Sequence, residues 1–339
     1  MLRNAQRDVS LNLAIEILSW LTTDENERTM ESGYYPTHLC RVRERRYQKI
    51  LHIVSYKSLH KRITMFRRLL IVILPVVVLA ACATRASTPV SQPLVPRTTP
   101  APGELRLTIV YDSLAGDPQL RTDFGFAALV EYGSHTLLFD TGGSGDVLVD
   151  NLRQLNVDPK SIEAVIISHE HADHTGGLQE LLDTGARPAV YAPATFSKPF
   201  KQQVSNQTKL VEVTDAVEVV PGVHTTRPIG SSPVEQALVV ETRDGSVVIT
   251  GCAHPGVTEM VHQAQAVVPG KVAYLIGGFH LSNIEMGALS PTISAVHQLG
   301  IEKVLPAHCT GYNATALFRK EYGENFVEPG VGRTIDIPA

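Results

Sequence analysis

Three imidazoles and a carboxylate leave the end of a short apolar strand within six positions, and this density constrains the chain more than any other feature. Ala164 to Ile167 reads as a buried strand and runs straight into Ser168-His169-Glu170-His171-Ala172-Asp173-His174-Thr175-Gly176-Gly177. A lone histidine is more often a satisfied core or surface residue than a ligand. Four ligand-type side chains at this spacing are hard to explain by packing. Neutral imidazole nitrogens and carboxylate oxygens suit zinc and its neighbours, and a catalytic zinc takes three protein ligands and keeps one position open.

The surrounding pattern supplies the scaffold. Leu105 to Tyr111 alternates polar and apolar residues, and the strands Phe126 to Glu131 and Thr136 to Phe139 flank the turn Tyr132-Gly133-Ser134-His135. Helices are expected at Asp146 to Leu155 and Gly177 to Leu182. A second set follows: strand Gln236 to Glu241, turn Arg243-Asp244-Gly245, strand Val247 to Ile249, helix Val257 to Ala266, strand Val272 to Ile276, helix Pro291 to Leu299 and strand Lys303 to Leu305. Two strand-rich halves, each trailed by helices, imply an α/β chain with two sheets packed face to face and helices outside. Gly142-Gly143-Ser144-Gly145 reads as a strand-to-helix turn and lacks the Lys and Ser/Thr of a nucleotide loop.

His-x-His-x-Asp-His after a strand resembles the signature of the metallo-β-lactamase superfamily, whose fold is an αββα sandwich. Leu138-Phe139-Asp140-Thr141-Gly142 is similar to its early Asp motif, Thr250-Gly251-Cys252-Ala253-His254-Pro255-Gly256 supplies a later histidine, and Pro306-Ala307-His308-Cys309-Thr310-Gly311 supplies the last. The resemblance covers the chain from Leu105 to the C-terminal region, so residues 105–339 are expected to form one domain. Gly251-Cys252-Ala253-His254, Gly277-Gly278-Phe279-His280-Leu281 and His308-Cys309-Thr310-Gly311 are similar, more narrowly, to the branch named for a dihydropterin-methyl-ribofuranosylaminobenzene-phosphate synthase. Many members of that branch are generic metal-dependent hydrolases.

The resemblance implies that His169, His171 and His254 hold a first metal, and that Asp173, His174 and His308 hold a second. Zinc is the expected ion, one or two of them, with other divalent transition metals as alternatives. Asp140 would orient the ligands by accepting a hydrogen bond from a ligand imidazole or a nearby backbone amide. Cys252 departs from the pattern, because many dinuclear members carry there an aspartate that bridges both metals. Either its thiolate bridges, or Cys252 is a small buried residue; the second reading is favoured because His254, two residues on, already supplies a ligand from the same turn. A bound zinc lowers the pKa of water towards about 7 and so supplies hydroxide at neutral pH. Asp173 would hold or deprotonate that water, and His280 would bind an oxyanion or protonate the leaving group. Cys309 either backs the ligands or is merely buried. His224, His262 and His297 have no ligand-type neighbour.

The implied reaction is hydrolysis of an ester, a phosphoester or a similar small molecule. Two alternatives stay open: group transfer on a phosphorylated sugar or pterin-type substrate, and a metal-binding lipoprotein without chemistry.

Residues 1–81 hold 13 Lys and Arg against 7 Asp and Glu, whereas the rest of the chain holds 17 against 27. An acidic folded region argues against nucleic acid as a partner, since a phosphate-backbone binder needs a basic patch. Met65-Phe66-Arg67-Arg68, the apolar run Leu69 to Ala81 and then Cys82 have the layout of a secretory signal. The run contains Pro75 and is short of the roughly 20 residues that a spanning helix needs. Leu79-Ala80-Ala81-Cys82 resembles the bacterial lipobox, which makes residues 65–82 a lipoprotein-type signal peptide and Cys82 the lipid attachment point; the alternative is an ordinary buried cysteine. Residues 83–104 are crowded with Ser, Thr and Pro, like a solvated tether. Residues 1–64 are either an upstream extension before a true start at Met65 or a cytosolic tail before a signal anchor. The expected location is therefore the outer face of a membrane, reached by export and held by a lipid. The remaining cysteine of this half, Cys40, carries no assignment. Cys82→Ser expressed in a bacterium should abolish lipid labelling and slow processing, and unchanged mobility and membrane association would contradict the assignment.

Overall fold

The computed structural model describes residues 100, 101 and 104–338. The extension 1–64 with Cys40, the signal-type segment with Cys82 and most of the tether lie outside the described residues.

Strands that are apolar on both faces must be covered on both faces, and this governs the architecture. In β1 (Leu105–Tyr111), Leu105, Leu107 and Ile109 point one way, and a register shift between Ile109 and Tyr111 turns both Val110 and Tyr111 to the other. In β3 (His135–Phe139), Leu137 and Phe139 share the first face and Leu138 takes the second; β4 (Ala164–Ile166) divides in the same way, with Ala164 and Ile166 against Val165. β2 (Ala127–Tyr132), β5 (Ala189–Pro193), β6 (Leu210–Val213) and β13 (Thr334–Ile337) complete a seven-stranded sheet in the order β13-β1-β2-β3-β4-β5-β6. The second sheet, of six strands, contains β7 (Glu218–Val220), β8 (Val223–Thr225), β9 (Leu238–Thr242), β10 (Gly245–Thr250), β11 (Val272–Gly278) and β12 (Lys303–Ala307), in the order β12-β11-β10-β9-β8-β7.

The first faces of both sheets make one core: Leu107, Phe139 and Ile166 from one side meet Leu238, Val247, Ile249, Ile276 and Leu305 from the other. The outer face of the seven-stranded sheet is covered by α1 (Gly145–Gln154), α3 (Leu178–Asp183) and α4 (Lys198–Ser205), with the short α2 (Ala172–Thr175) before α3. The other outer face is covered by α5 (Val257–Val267), α6 (Met286–Gln298) and α7 (Tyr312–Tyr322). Val257, Met260, Val261 and Ala264 show why α5 packs there, since this spacing forms one helical stripe. The result is an αββα sandwich.

Some elements differ from the sequence reading. α6 starts at Met286, ahead of Pro291, which lies inside the helix. A proline usually marks the first helical turn, where its missing N–H is spare, so it suggests too late a start. The segment between α3 and β9 holds β5 to β8 and α4, none of them expected. These strands are only three to five residues long and, unlike the equally short β4, run into no ligand motif that marks their end. α7 and the edge strand β13 were also unforeseen.

Parallel pairing decides where chemistry collects. β3, β4, β5 and β6 run parallel in one sheet, and β10, β11 and β12 run parallel in the other. Loops leaving the carboxyl ends of parallel strands are where open α/β sheets place their ligands. Leu107 is fully buried between the sheets and far along the chain from those loops. Leu107→Ala should lower unfolding free energy by about 2–5 kcal/mol in a denaturant titration while leaving the metal content of folded protein unchanged.

Candidate metal centre

The candidate site residues collect after strand ends, with Asp173 and His174 in the short α2 that follows β4. Asp140 follows β3, His169 follows β4, Cys252 and His254 follow β10, His280 follows β11 and His308 follows β12. Among the described residues five that are not glycine have positive φ, and four of them are here: Asp140 at 56°, Ala253 at 57°, His280 at 50° and His308 at 48°. This left-handed backbone is disfavoured for L side chains and persists where its surroundings impose it, commonly at functional sites. The fifth, Asn156 at 59°, sits just past α1, where helices often end in this conformation.

The buried carboxylate of Asp140 fixes two imidazoles. Its Oδ1 accepts the Ser168 backbone N–H at 2.7 Å, and its Oδ2 accepts the Ser168 hydroxyl at 2.7 Å. His174 Nδ1 lies 2.7 Å from the same Oδ2 and donates to it, which leaves His174 Nε2 facing the centre. Because the Ser168 proton is committed to Asp140, His169 Nδ1 donates to Ser168 Oγ at 2.9 Å and frees its own Nε2. Glu170 points elsewhere, its Oε2 accepting the Ser197 N–H at 2.6 Å at the start of α4.

The freed atoms converge. His169 Nε2 is 3.1 Å from His171 Nδ1, and the His254 ring lies 4.8 Å from His169 and 4.9 Å from His171, centroid to centroid. Asp173 Oδ2 is 3.2 Å from His308 Nε2 and 3.5 Å from His174 Nε2. His254 Nε2 is buried with no hydrogen-bond partner. Potential ligand atoms of Asp173, His174, Cys252 and His308 all lie within 4.8 Å of one another, and so do those of His169, Cys252 and His254. Cys252 thus belongs to both groups. The expectation that one short turn would not aim Cys252 and His254 at the same place is not met, because the left-handed Ala253 between them lets both side chains point inward.

Two of the imidazoles are kept neutral, with lone pairs that a cation could use, and the Asp173 carboxylate is kept ionised. Burial and the neighbouring His174, His254 and His171 hold His169 far below the ordinary histidine range, and burial with His280 and His171 lowers His254 to about 4. Burial pulls His174 down, but Asp140 and Asp173 outweigh it and raise the group to about 10. Burial pushes Asp173 up, yet hydrogen bonds from His174 and His308 prevail and hold it well below the carboxylate range.

The profile of the Metallo-beta-lactamase superfamily matches residues 120–308. The chain belongs to this superfamily. It is 27% identical over 278 residues to the 7,8-dihydropterin-6-methyl-4-(beta-D-ribofuranosyl)-aminobenzene-5'-phosphate synthase of Methanocaldococcus jannaschii, covering 67% of this chain and 95% of that one. An N-acyl homoserine lactonase of a Bacillus species is 30% identical over 109 residues, 31% of this chain and 44% of that one. Among solved structures, Tm1679, a metal-dependent hydrolase of the beta-lactamase superfamily, superposes with a TM-score of 0.60 at 26% identity, over 69% of this chain and all of that one. YhfI from Bacillus subtilis, at 15% identity and a TM-score of 0.55, shares the fold, covering 69% of this chain and 100% of its own.

Within this superfamily member, two buried carboxylates escaped sequence reasoning. Glu235 is fully buried, and its Oε1 accepts the N–H groups of Cys252 and Ala253 at 2.9 and 2.8 Å while Oε2 accepts that of His254 at 2.8 Å. It holds the whole Cys252–His254 turn by its backbone. Asp112, after β1, receives the His308 N–H at 3.3 Å, and burial raises its carboxyl to about 6. Neither lies in a recognisable motif; a charged residue beside an apolar run was the only signal. Gly142 is needed for packing as well as conformation, since its φ is 68° and an added Cβ would lie 2.3 Å from the Tyr111 ring. His224 and His297 are paired with Glu241 and Glu321, each at 2.8 Å, and His262 is exposed; all three are outside the centre.

Glu235→Gln keeps the shape of the side chain but can set an amide N–H2 against the His254 N–H or the other two donors. The variant should lose about 1–3 kcal/mol in thermal or denaturant unfolding and bind metal more weakly. Wild-type stability together with wild-type metal affinity would show that the turn holds itself.

Proposed function

We propose that this protein is a zinc-dependent hydrolase of a small ester, phosphoester or similar substrate. One observation carries the reading: His254 Nε2 is buried without a partner beside imidazoles whose remote nitrogens are already tied to Asp140 and Ser168. A buried nitrogen left unpaired beside imidazoles whose remote nitrogens are held as donors is the arrangement of a metal-ligating set. His169, His171 and His254 would hold one ion and Asp173, His174 and His308 another, with Cys252 within reach of both. Zinc bound there supplies Lewis acidity and lowers the pKa of water towards about 7.

The chain's own residues divide the remaining work. Asp173, held ionised by its two histidine partners, is suited to orient a nucleophilic water and is a weak base. His280 is exposed, and the hydrogen bond from its ring to Cys309 raises its pKa. While its ring is not engaged by an ion, an imidazole at the mouth of the centre can bind or protonate the leaving oxygen. The names of Tm1679 and of the lactonase favour hydrolysis. The match over 95% of the synthase keeps a second reading, group transfer on a phosphorylated sugar or pterin-type substrate. Product release by water alone, without an acceptor, favours the first.

The test is elemental analysis of the purified protein beside a panel of phosphoester, lactone, lactam and thioester substrates. His171→Ala should lose bound metal and lower turnover by more than about 100-fold, beyond the usual effect of residues that only support a ligand. A His171→Ala protein with full metal content and full turnover refutes the assignment.

A further inference from the structure

We propose that Cys252, Cys309 and His280 form a further cation position, a sulfur-rich subsite for a thiophilic divalent ion of the zinc type that shares the Cys252 sulfur with the histidine and aspartate donors. The proposal rests on the metal-centre reading only through that shared sulfur. Three adjacent parallel strands, β10, β11 and β12, each deliver one of these residues at the carboxyl end. Potential ligand atoms of the three lie within 4.8 Å of one another, and the two sulfurs are 3.1 Å apart. Two sulfurs on a tetrahedral zinc, each about 2.3 Å from the ion, are about 3.8 Å apart. A small side-chain rotation therefore opens the pair to that spacing.

The alternative is that both cysteines are small apolar residues in the core, as buried free cysteines usually are. Their surroundings say otherwise. The His280 backbone N–H donates to Cys309 Sγ at 3.3 Å, and the Cys252 sulfur lies 3.4 Å from His174 Nε2. Each sulfur thus faces polar groups.

The backbone is shaped to bring the three together. Gly278 ends β11 against both cysteines, where an added Cβ would lie 2.7 Å from Cys309 Sγ and 2.3 Å from the Gly251 carbonyl oxygen. Two residues later, the left-handed φ of 50° at His280 turns the chain so that its ring reaches the sulfurs. Cys252 and Cys309 are buried, whereas His280 is exposed, so an ion can enter from solvent past the imidazole. Two thiolates and one imidazole favour zinc and related ions over magnesium or calcium, which prefer oxygen.

Cobalt(II) is the probe, titrated under reductant into the metal-free full chain, with thiolate-to-metal charge transfer and bound equivalents as readouts. The wild type should show a charge-transfer band. Cys309→Ser should lose a clear part of it together with about one equivalent of metal. Cys252→Ser should lose the band entirely. His171→Ala should lower the metal content yet keep the part of the band that depends on Cys309, which separates this proposal from the histidine and aspartate assignment. Cys309→Ala, with a circular dichroism spectrum and melting temperature for each variant, guards against a simple failure to fold. A folded Cys309→Ser or Cys309→Ala with unchanged band and stoichiometry overturns the proposal, as does a Cys252–Cys309 disulfide in metal-loaded protein. Cobalt binding to wild type without any thiolate band overturns it while leaving the histidine and aspartate reading intact.

Discussion

A carboxylate buried without partners destabilises a fold severely, and Asp140 is completely buried. Its tolerance depends on three short contacts, from the Ser168 N–H, the Ser168 hydroxyl and His174 Nδ1, each 2.7 Å. Its own N–H donates to the Ile166 carbonyl at 2.8 Å, so the pairing of β3 with β4 runs on beyond the strands into the site. Register and site geometry are consequently a single constraint. A slip of β3 against β4 would strand the charge as well as displace both imidazoles.

Glu235 does for the second sheet what Asp140 does for the first. One gathers the N–H groups of the Cys252–His254 turn, and the other gathers Ser168 and His174. Neither reaches across the sandwich. The apolar layer between the sheets sets their separation, and the candidate ligands span it, with His169, His171, Asp173 and His174 on one side and Cys252, His254, His280 and His308 on the other. An ion bound by both sets would cross-link the two sheets, so its binding free energy would add to the stability of the sandwich.

How much of this was legible in the sequence follows from the range of each interaction. β1, the hairpin of β2 and β3, and β10 could be read because alternation and turn residues are local signals. The cluster from His169 to His174 could be read because its residues are close in sequence as well as in space. Glu235 could not, because its partners lie seventeen to nineteen residues away and nothing local marks a glutamate that will be buried. β7 and β8 escaped because three residues cannot show a period and, unlike the equally short β4, no ligand motif follows them. The argument that one turn would not aim Cys252 and His254 together missed the left-handed Ala253, whose N–H is accepted by Glu235 from the segment before β9, and sequence spacing alone gives no hint of it.

The cysteine at position 252 then has a chemical logic. Glu235 accepts its N–H, and Asp173 lies in the same ligand group, so an aspartate there would crowd a third carboxylate into a buried pocket. A thiol can be neutral until a cation arrives. The hydrogen bond with Cys309, burial, and the charges of Glu235 and Asp173 all push its pKa upward, which keeps the proton in place in the metal-free protein. A metal ion that took the place of that proton would gain a soft sulfur donor, which favours zinc over the harder ions that a bridging carboxylate would also accept.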